Sequence, residues 1–261
     1  MATTKKNEVA TTEDAQLPAF FGEIDDSLYG AGNSTDSNDN ALPFLAVAQK
    51  GSDQVNSRKD KYIEGLSAGD LFNTATGRFW KGDDGLQVLP LHYQKNYVEW
   101  IPREDGGGYV ATHEFSHDTA RRLGAIKSAD GRGLILPDSG HQLVETAYQF
   151  VLLEDAAMPL VIGAASTALG SMRSWMTARN ELKIGERRAP SFAFWWNMRS
   201  AYKENDKGDW FVPRYTLVGP VMKKETFEMA VEFSKMAREG ALNVGRPDEM
   251  NGGSDGGDMP F

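Results

Sequence analysis

The sequence predicts a mainly β fold with some α over residues 41–242, flanked by two acidic segments, 1–40 and 243–261, that read as disordered. Three observations carry this expectation. From residue 42 to 218 the apolar residues come in short alternating runs broken by Gly, Asp and Pro, the pattern of antiparallel strands and turns. Two stretches, 167–183 and 226–239, repeat instead at helical spacing. The ends are poor in apolar groups and carry -6 over residues 1–40 and -3 over residues 243–261, out of a net charge of -9, so the body between them is neutral.

The chain has 261 residues and is 40% hydrophobic, enough to bury a sizeable core. It has no cysteine, which rules out disulfides, thiolate zinc sites and a cysteine nucleophile. Residues 1–14 hold no apolar run of the kind a secretory leader needs, and the most apolar segment, 158–165, is far too short to cross a bilayer. A cytoplasmic protein is therefore expected.

Taken in order, residues 1–40 are rich in Thr, Asn, Asp, Ser and Gly, and only 17–21 are apolar enough to dock. Residues 42–48, 69–73 and 78–80 are strand candidates, the last two joined by a turn at Thr76 and Gly77. The longest extended run is 86–101. Its alternation puts Leu89, Leu91, Tyr93, Tyr97 and Ile101 on one side, with Pro90 marking a bulge or an edge. A Gly-rich turn at 105–108 makes 94–113 a hairpin. Residues 116–140 read as a loop or short helix carrying Arg121, Arg122, Lys127 and Arg132. Residues 143–153 alternate cleanly, with Tyr148, Phe150 and Leu152 opposite Glu145 and Gln149, and a further apolar strand follows at 159–164.

The helix expected over 167–183 is capped by Thr167. Its apolar stripe buries Trp175, leaves Arg173 free at the side for a ligand, and forces Arg179 to snorkel. The strand at 192–203 is expected to set Phe192, Phe194, Trp196, Met198 and Tyr202 on one face, with Phe194 and Trp196 in the core, and Trp195, Asn197, Arg199 and Lys203 on the other. After a turn, 210–218 returns with Arg214 and Tyr215 on opposite faces. The helix at 226–239 packs Phe227, Ala230, Val231, Phe233 and Ala237, and stops at Gly240.

Positive charge gathers in one block. Between Arg173 and Lys203, seven Lys or Arg stand against Glu181 and Glu186. Trp175, Trp195, Trp196, Tyr202, Trp210 and Tyr215 lie within or just beyond this block, and cations beside flat rings are the parts of a single-stranded nucleic-acid groove. Phosphates are assigned to Arg173, Arg199 and Lys203, with Arg187, Arg188 and Arg214 next; Asn197 shares their face. Bases are assigned to Trp195, with Tyr93, Tyr97 and Trp100 as further platforms.

The C-terminal Asp258, Met259, Pro260 and Phe261 resemble the acidic Pro-Phe tip of bacterial single-stranded DNA-binding proteins, with Met259 in place of the usual aliphatic residue. The body is similar to phage-encoded single-stranded DNA-binding proteins in Leu42-Pro43-Phe44-Leu45, in Tyr62-Ile63-Glu64-Gly65 and in residues 93–100. The same holds for Ser166-Thr167-Ala168-Leu169 with Arg173 and Trp175, and for residues 210–217. The similarity covers roughly residues 41–220. It implies an oligonucleotide-binding (OB-fold-like) antiparallel barrel with insertions, and a mobile tail that recruits replication or recombination proteins. The chain departs from the bacterial type in its length, its acidic N-terminal segment and its sparse acids before the tip.

Two rivals come from local motifs. His113-Glu114-Phe115-Ser116-His117 matches H-E-x-x-H, in which two His on one helical face bind zinc and Glu acts as base. Here the preceding pattern is a hairpin, so a zinc metalloprotease-like enzyme stands as an alternative only. A nuclease pairing of Asp138 with Glu181 and Lys183 is weaker still. His92 and His141 have no partner at useful spacing. A non-catalytic phage structural or assembly protein is the other alternative. The expectation is a non-catalytic protein without cofactor or metal that coats single-stranded DNA.

Overall fold

The computed structural model divides the chain into Met1–Asn40 and Ala41–Phe261 and describes residues 42–128, 133–156, 158–206, 208–239 and 244. The readings made for residues 1–40 and for the tip lie outside the described residues. Three short strands, β1 (Leu45–Val47), β2 (Leu71–Asn73) and β3 (Phe79–Trp80), form a small antiparallel sheet. The main sheet contains β4 (Leu86–Ile101), β5 (Gly108–Glu114), β6 (Ile126–Lys127), β7 (Leu134–Ile135), β8 (Gln142–Leu153) and β9 (Leu160–Ala165). It is completed by β12 (Phe194–Asn205) and β13 (Gly208–Pro220). Its order is β13-β12-β4-β8-β7-β6, with β5 also pairing β4 and β9 also pairing β8. The helices are α1 (His117–Arg122), α2 (Thr167–Asn180) and α3 (Lys224–Arg238), and β10 (Lys183–Ile184) with β11 (Arg187–Arg188) makes a separate hairpin after α2. The fold is mainly antiparallel β, as the alternation predicted, and no sheet closes into a barrel among the described residues.

Several local readings shift. Ser166 takes a left-handed φ of 46°, turning β9 directly into α2, so Thr167 is the first helical residue and not the cap. α2 ends at Asn180, because Lys183 is already in the β10–β11 hairpin that turns at Gly185. Residues 116–140 hold α1, β6 and β7 where a single loop or short helix was expected.

The feature that organises the rest is a bulge in β4. Pro90 lies opposite Val151 and His92 opposite Phe150, so Leu91 is an extra residue without a partner on β8. Pro90 brings no N–H to the ladder, and this central strand tolerates it because it borders the bulge, where the pairing is already broken. The carbonyls exposed by the bulge find side chains. Ser191 Oγ donates to the Leu91 carbonyl at 3.3 Å, and Gln149 Nε2 donates to that of His92 at 2.8 Å.

An extra residue also reverses which face each later side chain occupies. Leu89 and Leu91 pack with Tyr148, Phe150, Leu152 and the inner face of α3, where Ala230, Phe233 and Ala237 are buried. Tyr93 instead joins the opposite core, made by Val88, Val151, Ile162, Trp196 and Met198 under Met172 and Trp175 of α2. The expectation that Leu89, Leu91, Tyr93 and Tyr97 share one side is therefore corrected.

Gln149, fully buried, links the bulge to α2, since its Oε1 accepts from Arg179 Nη1 at 2.7 Å. Arg179 does not snorkel. It is 7% exposed and lies 4.4 Å from the centre of the Trp175 ring, which also stacks on Tyr215 at 3.8 Å and 6°. Burial lowers the Arg179 guanidinium to about 10, and burial likewise pushes the Tyr215 hydroxyl up.

The small sheet is tied to the edge of the main one. The Gln49 amide bonds both the N–H and the carbonyl of Phe211 on β13, at 2.9 and 3.0 Å, filling the place of a neighbouring strand.

Replacing Gln149 with Leu strips the buried Arg179 of its amide acceptor and frees the His92 carbonyl. The expected loss is about 3 kcal/mol or more, from a buried charge left unpaired. The double variant Q149L/R179M should recover part of that loss in urea unfolding, because the uncompensated charge is gone.

Candidate nucleic-acid interface

After the bulge, Tyr93, Lys95, Tyr97 and Glu99 alternate onto the α2 face of the sheet. Tyr97 lies opposite Glu145 of β8, and α2 brings Arg173 to the same carboxylate. Glu145 Oε1 is shared: Lys95 Nζ hydrogen-bonds it, and Arg173 Nη2 reaches it at 3.2 Å. Burial would raise the Glu145 carboxyl, but the hydrogen bonds from Lys95 and Arg173 outweigh it and hold the group below the usual carboxylate range. Arg173 is therefore not free, although its side chain remains 59% exposed. Phe115 lies against Tyr97 with ring centroids 4.6 Å apart, and Lys95 Nζ sits 4.6 Å from the centre of the Phe115 ring. Tyr93, Tyr97 and Phe115 are all half-buried.

The remaining assigned residues lie elsewhere. Trp196 and Met198 point into the α2-side core, as expected, so Asn197, Arg199 and Lys203 project from the reverse face. Arg214 stands directly opposite Arg199 in the β12–β13 register. Trp195 lies on this reverse face too, as the alternation predicted, but it is half-buried because it packs into the core beneath α3. Trp100 meets Tyr109 edge-on at 6.0 Å and alternates away from Tyr97 and Glu99. Arg187 and Arg188 are exposed on the β10–β11 hairpin, where Arg188 bonds the Asn180 side chain.

The single groove expected from the basic block is thus divided between two faces of one sheet. Sequence reading missed Lys95, Phe115 and Glu145. Lys95 was legible, since it alternates with Tyr93 and Tyr97; Glu145 and Phe115 reach it only through the β4–β8 and β4–β5 pairings.

These features define a mainly antiparallel β protein with half-exposed rings and paired cations on one sheet face. The chain belongs to the family of Pam3 phage gp34-like proteins, whose family model matches residues 9–243. Comparison with curated proteins and with solved structures finds no match. Among the described residues no helix is long and apolar enough to cross a membrane.

The H-E-x-x-H stretch does not form a zincin helix. His113 and Glu114 end strand β5, Ser116 caps α1, and His117 is its first residue, so the two imidazoles do not share a helical face. Among the described residues no group of three His, Asp or Glu side chains is placed to hold a metal ion. His113 Nε2 is bonded to Glu99 Oε2 at 2.8 Å, and His141, expected to have no partner, places Nδ1 2.6 Å from Glu99 Oε1. Glu99, 9% exposed, thereby clips β4 to β5 and to the start of β8.

Burial would raise the Glu99 carboxyl, but the hydrogen bonds from His141 and His113 prevail and hold it below its ordinary value. A depressed carboxylate stabilises the fold above the ordinary value of about 4.3 and loses that contribution as pH falls below it. Glu99→Gln should therefore cost about 1–3 kcal/mol near neutral pH, with the gap to wild type narrowing in melts below pH about 4.

Proposed function

We propose that this phage-family protein is a non-catalytic, single-stranded DNA-binding protein that coats and protects DNA strands during replication or recombination in the cytoplasm of an infected host. The observation that carries the reading is the α2 face. There Tyr93, Tyr97 and Phe115 offer ring surface for bases, while Lys95 and Arg173 converge on Glu145, a position that a phosphate would contest. The sheet is taken as an oligonucleotide-binding type left open along β13. The tip at Asp258, Met259, Pro260 and Phe261 would recruit replication or recombination proteins, and its removal is expected to abolish that capture while leaving DNA affinity equal or higher.

Glu145 sets the state of the empty site. Lys95 and Arg173 neutralise it, so an incoming phosphate displaces an internal carboxylate as well as bulk counterions. Oligo-dT titrated at low and high salt, followed by tryptophan fluorescence, tests the reading directly. Salt-sensitive binding of the single strand in preference to duplex is expected, and its absence ends the reading. Tyr97→Ala should weaken binding by about 1–3 kcal/mol, roughly 5- to 150-fold. Glu145→Gln should tighten it and steepen the salt dependence, because it releases both cations; weaker binding in that variant would show that the α2 face is not the site.

A further inference from the structure

Resting on the reading of the α2 face as a strand-binding surface, we propose that the reverse face of the same sheet holds a second single strand. The protein would then bring two strands together, an annealing or bridging activity. The β12–β13 register aligns Asn197 with Thr216, Arg199 with Arg214, Ala201 with Val212 and Lys203 with Trp210 on this face. None of these eight residues is acidic. The side chains of Arg199, Arg214 and Lys203 are exposed and have no hydrogen-bond or ion-pair partner among the described residues.

Two arginines directly opposite each other on an exposed face repel, and the sheet is more stable without the pair unless an anion lies between them. The β10–β11 hairpin repeats the arrangement, with Lys183 opposite Arg188 and both exposed. On the α2 face the corresponding cations are held by Glu145. On the reverse face an external polyanion takes that place. Its backbone would run along β12, where successive same-face side chains stand about 7 Å apart.

The two surfaces cannot be touched by one straight strand, because Trp196, Met198 and Tyr215 fill the sheet's α2 side behind Arg199 and Arg214. The rival arrangement is one strand wrapping the edge strand β13, where Arg214 also borders a cleft of about 140 Å³ with Ser171, Ser174 and Trp175 of α2.

Short donor- and acceptor-labelled oligo-dT, mixed with the full chain, separates the two. The proposal expects energy transfer between the labels and two oligonucleotides per protomer in native mass spectrometry. R199A/R214A should fall to one oligonucleotide per protomer and lose the energy transfer. It should keep the first oligonucleotide's affinity within about twofold, as expected of separated sites, and melt at or above the wild-type temperature because a repulsion is removed.

One oligonucleotide per protomer in the wild type overturns the proposal and leaves the α2-face reading standing, provided K95A/R173A then abolishes binding. Energy transfer that survives in R199A/R214A overturns it as well. So does a loss of first-strand affinity in R199A/R214A without a change in stoichiometry, the signature of a wrapped strand. No oligonucleotide bound by the wild type removes the α2-face reading and this proposal together.

Discussion

A single inserted residue in β4 decides which side chains of the longest strand face α2 and which face α3. Leu91 has no partner on β8, and from that point the strand's side chains exchange faces. Without the exchange, Tyr93 and Tyr97 would point with Leu89 into the core beneath α3, and Lys95 would stand away from Glu145. The bulge is held by Gln149, whose amide donates to the His92 carbonyl and accepts from Arg179. Arg179 in turn lies on Trp175, and Trp175 on Tyr215. A chain of buried contacts therefore runs from the backbone irregularity through α2 to β13, so the position of Arg173 is coupled to the bulge by the packing of its own helix.

That arrangement places charge differently on the two faces. On the α2 side two cations share one carboxylate, so one positive charge of the trio is left uncompensated. On the reverse side Arg199 meets Arg214 with no acid in the row. Natural sheets set opposite charges across strands where stability alone matters. A like-charge pair left exposed marks a place where the fold gives up stability, and an anionic partner is the physical reason available for it. The acidic N-terminal and C-terminal segments carry all of the chain's net charge, so the low overall pI does not describe these surfaces.

Much of the architecture was legible from pattern. Alternation located β4, β8, β12 and β13, helical spacing located α2 and α3, and Pro90 marked the bulge, each because local side-chain periodicity follows backbone geometry. The assignment of Trp175 and Trp196 to the core came from the same signal. What failed did so where a local cue met a non-local partner. Arg179 sits in an apolar stripe, which suggested snorkelling, yet a buried glutamine thirty residues away receives it. Trp195 lies on the face that the count gave it, but there it packs beneath α3, a helix that the local alternation does not connect to it. His113 read as half of a zinc motif and is one arm of a carboxylate clip with His141, a residue that no spacing rule connects to it.

By itself, then, the sequence determined the mainly β character, the two long helices, the neutral body between acidic ends and the basic and aromatic side chains available to its faces. Tertiary structure alone decided which of those side chains meet. Periodicity reports the face a residue occupies relative to its chain neighbours, whereas a site is an agreement between strands and helices distant in sequence. Here that agreement passes through one unpaired residue that reverses the faces of the longest strand, and nothing in the local alternation specifies which partners wait on the other side.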